Sequence, residues 1–291
     1  MTKSIKINQI LFSSMLLVCM IYFGACDKIE EPFIKKVEIG DTTAGIKKRV
    51  LLEDYTGHTC VNCPKAAKSA AALKAAYGDR MIILAVHAGG FANPNPGGDF
   101  TYDFRTTAGT EWDVFFGISN TGNPKGMVNR KGYPGAHILT PADWAGNIGT
   151  TLKETPALDL EVINQYNSDT RQLAAEITVT FLSKPDSITK LVVVMAESGI
   201  VKPQRNNDAT VGETPVIYEY EHNHVLRDAI TSTWGIPVEN AGSSFPSVIT
   251  KSFTYTLDNE FLPENCAVIA FVYNDANKEI LQAAEADVIQ K

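Results

Sequence analysis

A chain of 291 residues with 44% hydrophobic and 20% charged residues has room for one large or two ordinary globular domains. The formal net charge is −7, and no basic run is longer than the three residues 47–49. Nothing in this charge pattern favours nucleic acid as a partner, so we expect no nucleic-acid binding.

The N-terminal residues have the pattern of a lipoprotein signal peptide. Two lysines precede an apolar run over residues 10–23, and Gly24-Ala25-Cys26 then places small residues before a cysteine. A transmembrane anchor is the competing interpretation, but the run is shorter than the roughly 20 residues that span a bilayer. We expect residues 1–25 to be removed, Cys26 to carry lipid and residues 26–46 to form a polar tether.

The next segment predicts a strand, a short break and a helix that begins at a pair of cysteines. Val50–Tyr55 is an apolar run of strand length, and Cys60 and Cys63 follow four breaking residues. Apolar positions spaced along residues 66–77 predict one buried helix face, which Gly78 ends. A dithiol at a helix N-terminus is typical of thiol–disulfide chemistry, because free N–H groups and the helix dipole stabilise a thiolate. In this arrangement Cys60 faces solvent and Cys63 lies one turn inward.

Two other interpretations of the cysteine pair have to be weighed. Half of a structural zinc site has the same spacing, but the sequence contains no second C-x-x-C and no C…H-x-x-H partner. A disulfide that forms, stays buried and never exchanges is the stronger rival. The spacing alone leaves exchange and a static disulfide both open.

The following elements continue an α/β pattern. Residues 81–86 are apolar throughout, as in a parallel strand covered on both faces, and His87 stands at their end. His58 and His87 each have two interpretations. His58 either stabilises a thiolate or is an exposed loop residue, and His87 either tunes the dithiol or caps the strand. Residues 100–116 predict a helix with an aromatic cluster, which either belongs to the core or roofs the dithiol. Thr140-Pro141-Ala142-Asp143 predicts the start of another helix.

From Leu158 onward the hydrophobic period becomes two, and no long helix interrupts it. Strands are predicted over residues 173–181, 191–196, 249–257 and 268–273, with a last edge near Ile280. His222 and His224 are a conceivable metal pair on one strand face, but no third ligand follows a recognisable pattern. We therefore expect no metal and no cofactor.

Three sequence motifs together resemble one bacterial family. They are E-D-Y-T-G-H-T-C-V-N-C-P from Glu53, F-G-I-S-N-T-G-N-P-K-G-M-V-N-R from Phe116, and H-N-H-V-L-R from His222. This set resembles the outer-membrane protein 28 family, whose members are lipoproteins. The resemblance implies an α/β thioredoxin-like domain over residues 47–155, followed by an all-β immunoglobulin-like sandwich over residues 156–291. It also implies an outer-membrane location.

The thioredoxin-like part of the resemblance gives roles to individual residues. Asp54 lies six residues before Cys60, where such proteins often keep a buried acid that accepts the proton of the inner thiol. Pro124 lies in a segment that resembles their cis-proline loop, which shapes the substrate groove. Cys60 would be the nucleophile and Cys63 the resolving thiol.

Two functions from different classes remain at this point. The first is a thiol–disulfide oxidoreductase that acts on envelope proteins from a lipid anchor. The second is a non-catalytic binding or adhesion lipoprotein in which the disulfide is structural. Thr59 stands where thioredoxins usually place a tryptophan, which speaks against the first. The small loop that the disulfide closes constrains little, which speaks against the second.

Overall fold

The computed structural model describes residues 45–238 and 245–290. The predicted signal peptide, the lipid-bearing Cys26 and nearly all of the predicted tether lie outside them. These predictions therefore remain untested by the fold.

The described chain is mixed α/β with far more strand than helix. Its helices are α1 (Cys63–Tyr77), α2 (Thr107–Phe116) and α3 (Pro141–Thr151). Its strands are β1 (Val50–Thr56), β2 (Met81–His87), β3 (Lys125–Val128), β4 (Leu158–Asn167), β5 (Gln172–Phe181), β6 (Thr189–Glu197), β7 (Ile200–Val201), β8 (Gln204–Arg205), β9 (Val216–Ile217), β10 (Glu221–His222), β11 (Val225–Ala229), β12 (Ile236–Pro237), β13 (Ser247–Thr256), β14 (Cys266–Asn274) and β15 (Ile280–Asp287).

The N-terminal strands are covered by helices on both faces. β1 pairs with β2 in parallel and with β3 antiparallel. Alternate residues such as Leu52 and Ile83 pack with α1 and α3, whereas Leu51 and Leu84 pack with α2. Burial on both faces explains why these strands are apolar runs rather than alternating ones, as predicted.

One sheet runs across the predicted boundary between residues 155 and 156. Its strand order is β15-β14-β6-β11-β2-β1-β3, and β12 pairs with β6 at its side. The junction is the parallel pairing of Val225 with Ala85, where Ala85 N also donates to His224 O at 2.8 Å. Ile82 from the first part and Phe271 from the second lie in the same apolar cluster. The two predicted domains therefore share a sheet and a core.

The C-terminal half adds a second layer of strands. β13, β5 and β4 form a three-stranded antiparallel sheet in the order β13-β5-β4. Alternate residues of β5, including Ile177 and Val179, are buried against Val193 of β6 and Val268 of β14. The period-two pattern of the sequence is thus explained by one packed face and one exposed face.

One predicted helix begins later than expected, and one segment contains strands that were not predicted; both matter for the site. The helix predicted from Phe100 begins only at Thr107, because Thr106 Oγ1 accepts a hydrogen bond from Gly109 N and caps it. The short strands β7 to β10 were not predicted; they lie in a segment, residues 200–222, that we call the strap. The helix predicted from Thr140 begins at Pro141 with a capping box formed by Thr140 and Asp143, as expected.

Candidate functional site: a buried disulfide beside a cavity

Cys60 and Cys63 form a disulfide at the N-terminus of α1, which confirms the predicted pairing. β1 ends at Thr56, a short loop follows, and Cys63 is the first residue of the helix. The expectation that Cys60 faces solvent is wrong, because Cys60 and Cys63 are each only 2% exposed. The reason is that other segments of the chain cover the loop.

The loop before Cys60 is packed tightly against the segment after β2. A Cβ at Gly57 would lie 2.4 Å from the carbonyl carbon of Phe91 and 2.6 Å from Ala92 N. Thr59 completes the contact, since its N and Oγ1 both donate to Phe91 O, at 3.1 and 2.8 Å. Only glycine fits at position 57, and this close approach fixes the position of the dithiol.

The strap covers the other side of the loop. Arg205 N donates to His58 O at 2.8 Å, and Asn207 N donates to Val61 O at 3.1 Å. The buried side chain of Gln204 donates to Cys60 O at 2.9 Å and to Gly57 O at 3.4 Å. These contacts place the strap along the cysteine loop and close access to Cys60.

A cavity of about 340 Å³ lies between α1, the sheet and the strap. Cys63 lines it, and Cys60 does not. The register brings its polar residues to one face of the sheet, because Asp54 is opposite Ala85 and Thr56 is opposite His87 on the parallel strand. Further lining comes from α1 and from the strap: Pro64, Ala67, Lys68, Ala70, Ala71, Gln204, Val211, Tyr220, Glu221 and His222.

Asp54 is the buried acid of this cavity. It is 3% exposed, and its Oδ1 has no hydrogen-bond partner among the described residues. Desolvation raises the pKa of its carboxyl from 3.8 to about 7. A carboxyl that titrates near neutral pH in the cavity that Cys63 also lines is suited to exchange protons with a thiol.

Three histidines and two phenylalanines form a cluster at one end of the cavity. The ring of Phe104 lies 4.4 Å from that of His87, 4.5 Å from that of His222 and 5.8 Å from that of His58, between ring centroids. Phe100 stacks on His58 at 5.6 Å. The N-terminal part of the predicted aromatic cluster therefore packs on the site, whereas Trp112 and Phe116 belong to the core.

Burial favours the neutral form of these histidines. Desolvation lowers the pKa of His222 to about 3, lowers that of His58 and lowers that of His87 well below its ordinary value. His58 is not an exposed loop residue, since it is 1% exposed and its Nε2 hydrogen-bonds to Asn93 O at 3.2 Å. Neither ring nitrogen of His87 has a partner among the described residues, so His87 is not a strand cap held by a hydrogen bond.

The predicted cis bond before Pro124 is confirmed, since the Asn123–Pro124 peptide is cis. Lys125 pairs with Tyr55 on the antiparallel strand, so the proline lies at the C-terminal end of β1, the end from which the cysteine loop leaves. Asn129 and Arg130 follow β3 with left-handed φ angles of 50° and 54°, and their side chains are fully buried.

The remaining cysteine and histidine of the sequence analysis do not form a further site. Cys266 is buried in β14 without a disulfide partner in the described chain, and burial raises the pKa of its thiol to about 12. His224 also lines the cavity, but it has a left-handed φ of 57° and does not continue the strand of His222. Within residues 45–238 and 245–290, no three His, Cys, Asp or Glu side chains form a metal-binding group.

Sequence reasoning did not find Gln204, Tyr220 or the role of His222 at this site. They lie about 140 residues or more after Cys60, and nothing near them in sequence indicates a dithiol.

No helix within the described ranges has both the length and the apolarity to cross a membrane.

Comparison with known proteins gives a family and a fold. The family model for outer membrane protein Omp28 matches residues 114–291, more than half of the chain. The crystal structure of protein AGR_C_4864 from Agrobacterium tumefaciens is 15% identical and has a TM-score of 0.53; the match covers 84% of this chain and 97% of that one. At this identity the similarity shows a shared fold alone.

A crystal structure of a domain of the outer membrane lipoprotein Omp28 from Porphyromonas gingivalis is 18% identical, with a TM-score of 0.33. That match covers 46% of this chain and 90% of that chain. No curated protein matches the sequence. Because the family model extends over most of the chain, the protein belongs to the outer membrane protein Omp28 family and is located at the outer membrane.

Proposed function

We propose that this protein is a lipid-anchored thiol–disulfide exchange protein of the cell envelope, with Cys60 and Cys63 as its reacting pair. The observation that carries the proposal is Asp54, a buried carboxyl with a pKa of about 7 in the cavity that Cys63 lines. A static disulfide has no use for a proton acceptor beside it, and keeping an unpaired carboxyl buried costs stability.

The architecture that belongs to this function is a thioredoxin-like part over residues 47–155 and an immunoglobulin-like sandwich over residues 156–291. The parallel β1–β2 pair, the dithiol at the start of α1 and the cis bond before Pro124 support the first part. The β13-β5-β4 sheet, packed on β6 and β14, supports the second.

Each site residue then has a role. Cys60 lies at the N-terminus of α1, where free N–H groups stabilise its thiolate. Cys63 is the second thiol, and Asp54 accepts and returns its proton. Pro124 shapes the groove beside the dithiol. No cofactor takes part in this chemistry, and the other reactants are thiols or disulfides of the envelope.

The test is the reduction potential of the Cys60–Cys63 couple. An exchanging pair equilibrates with a thiol buffer above about −300 mV, the region below which structural disulfides usually lie. Asp54→Asn should slow exchange at neutral pH and remove a pH dependence near 7, whereas Asp99→Asn on an exposed loop should do neither. A couple that stays oxidised in strongly reducing buffers would contradict the proposal.

A second function is favoured by one observation, the burial of both cysteines. At 2% exposure the sulfurs are closed to a folded protein substrate unless the strap moves. In this alternative the protein is a non-catalytic binding or adhesion lipoprotein, and the disulfide only stabilises the loop. The double variant Cys60→Ala, Cys63→Ala would then keep the biological activity and lose only stability.

The lipid anchor is tested separately. We expect labelled fatty acid to be incorporated at Cys26, and Cys26→Ala to release the protein from membranes. Cys266→Ala is the matched control, because Cys266 is buried in a strand and is not available for modification. Labelling that persists in Cys26→Ala would contradict the anchor.

A further inference from the structure

Access to the two sulfurs is unequal in this structure. On the Cys60 side, Gln204, Arg205 and Asn207 of the strap bond to the loop that carries Cys60. Lys68 Nζ also donates to Thr210 O at 2.9 Å, and Lys65 pairs with Asp208 at 3.0 Å, which fastens the strap to α1. A polypeptide has no free path to Cys60 past these contacts.

On the Cys63 side, the cavity of about 340 Å³ provides space next to the disulfide. This volume falls at the small end of sites for small molecules and is too small for a folded partner. Ala71, an exposed residue of α1, and the half-buried Ala67 are among the residues that line it. A molecule of a few heavy atoms therefore fits where a protein substrate does not.

The cavity also contains polar atoms that nothing in the described chain satisfies. Both ring nitrogens of His87 and Oδ1 of Asp54 are buried without hydrogen-bond partners. Unpaired buried polar groups are rare in folded proteins and call for a partner from outside the chain. Asp54 and His87 line the same cavity as Cys63, which indicates a ligand that enters this cavity and brings hydrogen-bonding groups with it.

We propose that the reaction partner of the disulfide is a low-molecular-weight thiol, which enters this cavity and reacts at Cys63. The inference rests on the proposed exchange function and specifies its substrate class. It also reverses the order that the thioredoxin pattern gives to the two sulfurs, because the mixed disulfide forms on Cys63 rather than on Cys60.

The reaction balances in two steps. The small thiol RSH gives its proton to the Asp54 carboxylate, and its thiolate attacks Cys63 Sγ. The Cys60–Cys63 bond breaks, Cys63–S–S–R forms, and Cys60 leaves as a thiolate that the helix N-terminus stabilises. A second RSH loses its proton, and its thiolate attacks the sulfur of R. RSSR leaves, and Cys63 and Cys60 take up the two protons. Two RSH are oxidised to RSSR, and the protein disulfide is reduced to a dithiol.

The first experiment fills the cavity. Reduction of the full-length protein by excess L-cysteine is followed by stopped-flow and mass spectrometry in Ala67→Leu, which narrows the cavity, and in Ala75→Leu. Ala75 is an exposed residue of the same helix and does not line the cavity. We expect Ala67→Leu to slow reduction at least tenfold and Ala75→Leu to leave it unchanged. Equal rates in both variants would overturn the proposed route.

The second experiment does not depend on how Ala67→Leu folds. Cys60→Ser and Cys63→Ser are treated with 2-hydroxyethyl disulfide, and the modified cysteine is identified by peptide mass mapping. We expect Cys63 of Cys60→Ser to be modified at least tenfold faster than Cys60 of Cys63→Ser. Faster modification of Cys60 would overturn the proposal.

The outcomes distinguish failure of the proposed exchange function from failure of the small-thiol route alone. If the wild-type disulfide is exchanged by neither L-cysteine nor a protein dithiol, the proposed function itself fails. If it is exchanged at Cys60, or by a protein dithiol faster than by L-cysteine, exchange stands and the small-thiol route fails.

Discussion

The side-chain amide of Gln204 donates a hydrogen bond of 2.9 Å to the carbonyl oxygen of Cys60, a residue 144 positions earlier in the chain. The same nitrogen donates to Arg205 O at 3.0 Å and to Gly57 O at 3.4 Å. One buried amide thus connects the strap to both ends of the cysteine loop. Control of access to the disulfide therefore depends on residues from the second half of the chain.

Replacing Gln204 tests this connection. Gln204→Ala removes the side-chain hydrogen bonds to Cys60 O and Gly57 O, and each carbonyl keeps one backbone donor. The free energy of opening the strap should therefore fall by about 1 kcal/mol. Hydrogen exchange of the Arg205 and Asn207 amides, which bond to the loop, should accelerate accordingly. Gln165→Ala on the exposed face of β4 is the control and should leave these amides unchanged. Unaltered exchange in Gln204→Ala would show that the backbone contacts alone hold the strap.

A second prediction concerns the glycine beneath the dithiol. Gly57→Ala places a methyl group 2.4 Å from a backbone carbon of Phe91, and backbone on both sides has to move. We expect a loss of about 1–3 kcal/mol in the free energy of unfolding, measured by urea denaturation. Gly90→Ala, in the facing segment, meets no atom within 4 Å and should be tolerated. Equal stability of both variants would mean that the loop relaxes freely.

Local patterns were sufficient to predict the elements that carry the dithiol. Val50–Tyr55 is apolar because β1 is buried on both faces, and the helix after Cys63 shows its buried face in Ala66 and Ala70. Gly78 ends this helix with a left-handed φ of 60°. These features depend on neighbours within a few residues, and a sequence records them directly.

The features of the fold that the sequence did not indicate depend on contacts between residues that are far apart in the chain. The sheet continues from β2 into β11 through Val225, a pairing that no local pattern specifies. The burial of Cys60 likewise requires the strap, whose strands have two residues each and show no periodicity. An exposed first cysteine was a reasonable expectation from local patterns, yet the exposure of Cys60 depends on long-range packing.

A third prediction concerns a buried ion pair that supports the sheet. Arg130 donates to both carboxylate oxygens of Glu53, at 2.7 and 2.8 Å, and neither side chain is exposed. Its guanidinium also lies about 5 Å from the ring centroids of Trp112, Phe116 and Phe271. Arg130→Met should cost about 3–5 kcal/mol of unfolding free energy, because it leaves the Glu53 carboxylate buried and unpaired.

A double variant measures the coupling free energy between Glu53 and Arg130. Glu53→Gln combined with Arg130→Met should cost less than the sum of the single changes, because no unpaired charge remains. Arg105→Met is the matched control, since Arg105 pairs with Asp103 at the surface and should contribute no more than about 1 kcal/mol. Additive losses in urea denaturation would show that the two charges do not depend on each other.

The last prediction uses the titration of Asp54 in the folded state. Burial raises the pKa of its carboxyl from 3.8 to about 7, so the folded protein keeps a proton that the unfolded chain releases at lower pH. Between about pH 4 and pH 7 the unfolded state binds fewer protons, and this residue lowers the free energy of unfolding as pH rises. Above about pH 7 the carboxyl is deprotonated in both states, so the amount by which Asp54 lowers the free energy of unfolding no longer changes with pH.

Asp54→Asn removes the titration while keeping the shape of the neutral carboxyl. Its stability relative to wild type should therefore increase with pH and reach a gain on the order of a few kcal/mol at pH 8, with a much smaller difference at pH 4.5. Urea denaturation at both pH values measures the difference, and Asp99→Asn on an exposed loop should show none. A gain that is the same at both pH values would mean that Asp54 is not protonated in the folded protein. Since the proposed chemistry uses that proton, we expect Asp54→Asn, unlike Asp99→Asn, to lose the pH dependence of both the stability below pH 7 and the exchange rate near pH 7.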